Sequence, residues 1–193
     1  MIRNKIENIT ALQDELQKIG NDISALLAVK YIDDELRKMV ESNRKINVKN
    51  TFYTYCNRGF ISDVVMGIRR QVKFDKKSIS LVRFLRKMQS NRKLFAENPI
   101  SYKDIQDDID ELKEKSEYLE KFADKHLAHL DKRALNNEVL VDFGEIREVL
   151  DLFVNKLNKY VQIVFLNNGL PKGPYIDDAD TWKDIFKTPW IVE

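Results

Sequence analysis

The chain has 193 residues, of which 43% are hydrophobic and 33% charged. It is therefore long enough to bury a core and too apolar for a disordered chain. Its six glycines and four prolines are too few for the turns of a β-sandwich or barrel, and its single cysteine excludes an internal disulfide. The net charge is +2, and the sequence shows neither an apolar membrane span nor the apolar stretch of a signal peptide. We expect a cytoplasmic, all-α protein with no membrane contact.

Hydrophobic residues at helical spacing predict three helices in the first half of the chain. The first covers 10–44, with Thr10 and Gln13 as a capping box and a break or kink at 20–22, where Gly-Asn-Asp stands. The second covers 47–72 and a shorter third covers about 80–94. We expect 74–77 to be a polar connection between the second and third helices.

The second half of the chain predicts two further main helices. One covers 101–129 and opens on a capping signal formed by Ser101 and Asp104, and the other covers about 143–166. The sequence Gly-Leu-Pro-Lys-Gly-Pro then breaks the helix before an acidic and aromatic C-terminal part. We therefore expect a helical domain over 1–168, and a tail over 169–193 with one short helix that packs on the bundle or on a second protomer.

The small net charge hides an uneven distribution. Residues 1–98 carry +9 and residues 99–193 carry −7; within them, 44–93 holds 14 basic and two acidic residues, whereas 97–120 holds nine acidic residues and three lysines. A segment as basic as 44–93 can hold nucleic-acid phosphates, since neutralised phosphates release condensed counterions. It can equally pack beside the acidic segment, within one molecule or across a dimer. The charge pattern alone leaves both interpretations open.

Both histidines of the chain lie close together. His126 and His129 are three residues apart, so on a helix they are surface neighbours, and Asp124 lies just before them. Two imidazoles near a carboxylate suggest acid–base chemistry because histidine titrates near neutral pH. A metal pair and a cation at a helix end are the alternatives.

Two stretches together resemble a known superfamily. The helix end with Asp124, Lys125 and then Ala-His-x-Asp over 128–131 is similar to HEPN domains, which are all-helical and in many cases metal-independent ribonucleases. The stretch 69–85 has paired arginines, an aspartate and a Ser-Leu helix start, and it is similar to the AbiU-like abortive-infection branch. The resemblance spans about 52–165 and implies a HEPN-like bundle of about five main helices.

The chain departs from the catalytic pattern of that superfamily, in which an arginine, four to six residues and then a histidine follow one another. Positions 122–124, where the arginine should precede His129, hold Phe, Ala and Asp, and the corresponding window before His126 holds Lys121. Lysine is a poor replacement where a planar fork must grip a phosphate.

The resemblance implies roles for particular residues. His129 would be the general acid or base, with His126 as a second catalytic candidate and Asp124 positioning His129 or the ribose. Lys121 or Lys125 would supply positive charge to the phosphate. Arg69 or Arg70 would replace the missing arginine from a neighbouring helix. No cofactor and no metal are expected.

Two functions follow as alternatives. The first is a metal-independent endoribonuclease of phage defence or of a toxin–antitoxin pair, acting as a homodimer and paired with a nucleotidyltransferase-type antitoxin. The second is a catalytically inactive HEPN-like domain that binds RNA or a protein through 44–93, or that serves as a structural homodimer. The retained Asp124 and His129 favour the first, and the missing arginine favours the second.

Overall fold

The computed structural model describes residues 2–42, 51–74, 78–95, 99–128 and 141–165. These residues form helices and connections, with no strand among them, which confirms the predicted all-α bundle of about five main helices. The helices are α1 (Ile2–Ser42), α2 (Thr51–Val72), α3 (Leu81–Asn91), α4 (Tyr102–Phe122) and α5 (Phe143–Val164). The predicted tail over 169–193 and its short helix lie outside the described residues, so the division into domain and tail stays a prediction.

One hydrophobic core joins all five helices. Apolar side chains at helical spacing turn inward from each of them, as the sequence periodicity predicts. The largest of the fully buried side chains are Tyr160, Phe84 and Phe153. The Phe84 and Tyr160 rings meet edge to face, with centroids 6.3 Å apart. This contact joins α3 to α5 across the interior.

Polar side chains satisfy the first backbone N–H groups of three helices. Ser101 and Asp104 form the predicted capping box of α4, since the Ser101 hydroxyl accepts from the Asp104 N–H at 3.0 Å and the Asp104 carboxylate accepts from the Ser101 N–H at 3.2 Å. Ser80 caps α3 and Asp142 caps α5. The helix starts near 80, 101 and 143 are therefore where the sequence places them.

The first helix differs from its prediction. It begins well before Thr10 and runs through Gly20 without a break, so the capping box at Thr10 and the break at 20–22 are wrong. Asp22 does not terminate the helix because its carboxylate accepts hydrogen bonds from Arg70 and Gln71 of α2. Gly20 packs against α5, where an added Cβ would lie 3.8 Å from Leu157 Cδ2. Tertiary packing thus outweighs the roughly 1 kcal/mol by which glycine disfavours a helix.

The acidic stretch finds its charged partners on α5. Asp108 pairs with Lys156 and Lys159, each at 2.6 Å, and Glu111 pairs with Lys156 at 2.5 Å. Between α3 and α4, Arg86 donates a hydrogen bond to the neutral side chain of Gln106. Among the residues that the structure describes, acids of this stretch thus pair with lysines of α5, whereas Arg69, Arg70 and Lys87 of the basic segment pair with acids outside the stretch.

Candidate active site at the end of α4

The helical path of α4 continues beyond Phe122 as a π-helical segment, Ala123–Ala128. Ala123 is fully buried and Leu127 packs partly against the core, so the segment is fixed to the body of the bundle. Asp124 and Lys125 lie on its outer side. π-Helical turns are rare and occur often at functional sites. The predicted motif thus begins on an unusual but well-packed backbone.

Arg69 of α2 contacts Asp124. Arg69 Nε donates to Asp124 Oδ1 at 2.6 Å, and Arg69 Nη2 lies 2.5 Å from the same oxygen. The Arg69 side chain is 18% exposed and that of Asp124 is 47% exposed, so the pair is open to solvent on the Asp124 side. Arg69 lies in the last turn of α2, where a cation is favoured by the helix dipole.

The other predicted phosphate-binding residues either pair with other carboxylates or are exposed. Arg70 donates to Asp22 Oδ1 at 2.9 Å and is therefore directed toward α1. Lys121 pairs with Glu117 one turn earlier on α4, and both side chains are largely exposed. Lys125 is exposed beside Asp124. Of the four candidates, Arg69 is the one whose contact with the motif is observed.

The side chains of the two histidines are not among the parts of the chain that the structure describes. His129 lies outside the described residues, and of His126 the backbone is described but the side chain is not. The predicted approach of Arg69 or Arg70 to His129 therefore stays a prediction. The observed contact joins Arg69 to Asp124, five positions before His129.

A buried glutamine holds the end of α2 on which Arg69 stands. Gln71 is 2% exposed; its Nε2 donates to Asp22 Oδ2 at 2.6 Å, and its Oε1 accepts from the Leu81 N–H at 2.9 Å. It thereby ties α1, α2 and the start of α3 together. No local pattern marks Gln71 in the sequence, because its partner Asp22 lies 49 positions away.

Beyond α2, the chain presents an exposed aromatic side chain next to a basic one. Phe74 is 56% exposed and Lys73 beside it is exposed as well. Phe74 follows the end of α2, where the sequence predicts the connection over 74–77, and 75–77 lie outside the described residues. An aromatic residue among the lysines at 73, 76 and 77 was the available signal, since such mixtures are typical of nucleic-acid contacts.

The all-α bundle, with Asp124 and Lys125 just beyond α4, agrees with a HEPN-type domain. The family comparison agrees: the chain belongs to the HEPN family AbiU2, whose match covers residues 6–185. This confirms the resemblance to the AbiU-like branch. The chain matches no curated protein and no solved structure in the comparisons made with them. Over the parts of the chain described here, each helix is too short or too polar to cross a membrane.

Proposed function

We propose that the protein is a metal-independent endoribonuclease of phage defence or of a toxin–antitoxin pair, in which Arg69 supplies the cation that the motif lacks. The observation that carries this proposal is the contact between Arg69 Nε and Asp124 Oδ1 at 2.6 Å. It brings an arginine from α2 to the motif on α4, where the linear pattern has none. Family membership supports the same assignment.

The proposed reaction is an internal transesterification of RNA. The ribose 2′-OH attacks the adjacent phosphorus, His129 accepts its proton, and the bond to the 5′-oxygen breaks as that oxygen gains a proton. The products are a 2′,3′-cyclic phosphate and a 5′-hydroxyl. Acid–base catalysis and a fixed cation near the phosphate each lower the barrier of such a step.

Arg69 can serve Asp124 and a phosphate at once. A guanidinium carries five N–H donors, and the contacts with Asp124 involve Nε and Nη2, which leaves Nη1 for a phosphate oxygen. Asp124 would then hold the guanidinium in position, and the exposed Lys125 would add charge nearby. In this proposal two protomers bring their motifs together, as the HEPN resemblance implies, and a nucleotidyltransferase-type antitoxin restrains them.

The test is cleavage of a labelled tRNA in the presence of EDTA by the wild type and three variants. His129→Ala should abolish cleavage, and Arg69→Ala should slow it by about 100-fold or more, the effect typical of a lost charge-stabilising donor. The matched control is Arg70→Ala, which removes the neighbouring arginine that pairs with Asp22 and should change the rate by no more than about threefold. Equal loss in both arginine variants would contradict the role of Arg69.

A second function is favoured by one observation, the pairing of Arg69 with a carboxylate that compensates its charge. If the site is inactive, Lys73 and Phe74 still offer charge and a stacking surface to unpaired RNA. Wild-type protein that binds RNA with a steep salt dependence and leaves it intact would select this binding module over the enzyme.

A further inference from the structure

The outer side of α3 and the turn that follows it carry positive charge without acids of their own. Residues 78–95 contain five basic residues and no acidic residue. Each of the five is at least partly exposed, and those within α3 stand three and four positions apart, so they share one face of the helix. We call this surface the α3 basic face; it comprises Arg83, Arg86, Lys87, Arg92 and Lys93.

Neutral oxygens, not carboxylates, hold the three arginines of this face. The contacts are Arg83 Nη1 to the Ser78 carbonyl, Arg86 Nη1 to Gln106 Oε1 at 2.9 Å and Arg92 Nη1 to the Gln89 carbonyl at 3.0 Å. Such a contact holds a guanidinium in place but leaves its charge uncompensated. Because a guanidinium has five N–H donors, each arginine also keeps donors for a further partner.

Arginines of the other helices differ in this respect. Four of them pair with carboxylates, namely Arg37, Arg69, Arg70 and Arg147. On the α3 basic face, Lys87 is the residue that pairs with a carboxylate among those the structure describes, that of Glu15. The face therefore keeps a net positive charge and fits an anionic partner.

Exposed aromatic rings lie at both ends of α3. Phe74 is 56% exposed and precedes the start of α3, where the Ser80 hydroxyl donates to the Lys73 carbonyl at 3.0 Å. Tyr102 is 53% exposed and lies near the other end, where Gln89 Nε2 donates to its carbonyl at 3.4 Å. The 11 residues of α3 span about 16 Å. Cations between exposed rings are typical of surfaces that bind unpaired nucleic acid, because phosphates pair with the cations while bases stack on the rings.

The α3 basic face also begins close to the candidate active site. The Lys73 N–H donates to the Arg69 carbonyl at 3.0 Å, and the Lys73 carbonyl accepts from Ser80, the cap of α3. Arg69, whose side chain contacts Asp124, is thus one helical turn from the connection that leads into α3. A nucleic-acid chain bound along α3 can therefore extend to the candidate active site.

We propose that the α3 basic face binds the phosphate backbone of single-stranded RNA, with bases stacked on Phe74 and Tyr102. The arginine forks donate to phosphate oxygens in pairs, which is the geometry that guanidinium groups favour. A duplex keeps its bases stacked inside and leaves the two rings unused. The choice of RNA rests on the proposed ribonuclease function, to which this face adds a substrate-binding surface outside the reacting residues.

The first test measures binding of a labelled 2′-O-methyl oligouridylate by fluorescence anisotropy at several salt concentrations. This probe has the phosphates of RNA but no free 2′-OH, so it cannot be cleaved. The double variant Arg83→Gln, Arg86→Gln should bind at least about tenfold more weakly. Its plot of log affinity against log salt should be shallower by about 1.4, or about 0.7 for each lost phosphate contact.

The matched control for this test is the double variant Lys115→Gln, Arg147→Gln. It removes the same charge from exposed or half-exposed residues of α4 and α5, and its affinity and salt dependence should stay close to those of the wild type. Equal losses in both double variants would overturn the proposal. So would a dimer that dissociates in the α3 double variant while RNA affinity is unchanged, because the face would then belong to a contact with a second copy of the chain.

The second test removes the rings, which are exposed and whose loss leaves the core intact. Phe74→Leu and Tyr102→Leu should each weaken binding of the same probe about fivefold or more, the effect typical of a lost stacking contact. Tyr55→Leu is the matched control, because Tyr55 is 75% exposed and lies on α2 away from α3. Unchanged affinity in both ring variants, or equal affinity of the wild type for a duplex RNA, would overturn the proposal.

These measurements separate the α3 basic face from the proposed ribonuclease activity. Because the probe cannot be cleaved, binding that depends on Arg83 and Arg86 would support the face even if the wild type left tRNA intact. Cleavage of tRNA together with binding that ignores the α3 variants would leave the enzyme standing and overturn the role of α3.

Discussion

Asp108 lies on α4 and Asp124 on its π-helical continuation. The two side chains differ in their exposure and in the number of their partners. The Asp108 side chain is 7% exposed and accepts from Lys156, Lys159 and Tyr160 at 2.6 to 2.7 Å. The Asp124 side chain is 47% exposed, and its partner among the described residues is Arg69. A carboxylate enclosed by partners serves the fold, whereas a carboxylate with one partner and an open side can serve a ligand.

The surroundings of Asp108 also fix its charge. Burial by itself would raise the pKa of Asp108, but the hydrogen bonds from Lys156, Lys159 and Tyr160 outweigh burial and lower it. The same arrangement raises the pKa of Tyr160, first through burial and then through its hydrogen bond to Asp108. The Asp108 carboxylate is therefore charged at neutral pH, and its ion pairs with Lys156 and Lys159 link α4 to α5.

The largest effect is expected from Asp108→Asn. The change leaves Lys159 and the Tyr160 hydroxyl without the carboxylate that they contact, and Lys156 with Glu111 alone. Removal of one member of a buried pair costs about 3 kcal/mol or more of unfolding free energy. Asp124→Asn removes a half-exposed pair and should cost less than about 1 kcal/mol. Urea unfolding of both variants measures the difference. Similar losses in the two variants would contradict the assignment of a structural and an accessible carboxylate.

A second prediction concerns pH and contrasts Asp108 with Asp33 of α1. Burial raises the pKa of Asp33 even though Arg37 pairs with it at 2.6 Å. Since the folded-state pKa of Asp108 is lowered, its stabilising contribution is present above the unfolded pKa of about 3.9 and is lost as the pH falls through the folded value. For Asp33 the sign is opposite, because the folded state takes up the proton first and gains stability as the pH falls.

The measurement is urea unfolding of the wild type, Asp108→Asn and Asp33→Asn at several pH values between neutral and about pH 3. The destabilisation caused by Asp108→Asn should shrink as the pH falls, and that caused by Asp33→Asn should grow. Parallel pH profiles for the two variants would show that one of the two pKa directions is wrong.

Most of the fold could be predicted from periodicity and capping residues. Ser80 and Ser101 cap two helices by accepting from the N–H three residues later. Such local pairs can be recognised from residue type and spacing. The error at 20–22 arose because Asp22 is used by Arg70 and Gln71, residues nearly fifty positions away. A local rule cannot detect a carboxylate whose partners lie on another helix.

Arg69 and Asp124 are both candidates from the sequence, but the contact between them could not be predicted from it. Arg69 and Arg70 are equivalent in sequence, yet neighbours on an α-helix point about 100° apart, so Arg69 reaches Asp124 and Arg70 reaches Asp22. Which arginine meets the motif depends on how α2 is rotated against α4. The roles assigned to His126 and His129 stay predictions.

A smaller effect than that of Asp108→Asn is expected at the start of α4, far from Asp124. Ser101→Ala removes the capping hydroxyl that accepts from the Asp104 N–H at 3.0 Å, and loss of such a cap costs about 1 kcal/mol. Ser90→Ala, an exposed serine that donates to the Arg86 carbonyl within α3, is the matched control and should be nearly neutral. Since α4 has 21 residues and spans about 30 Å, Ser101→Ala should lower thermal stability without changing the proposed cleavage of RNA. A loss of cleavage at a temperature where the variant is still folded would mean that the two ends of α4 are coupled. Asp108 and Asp124 could then no longer be treated as independent.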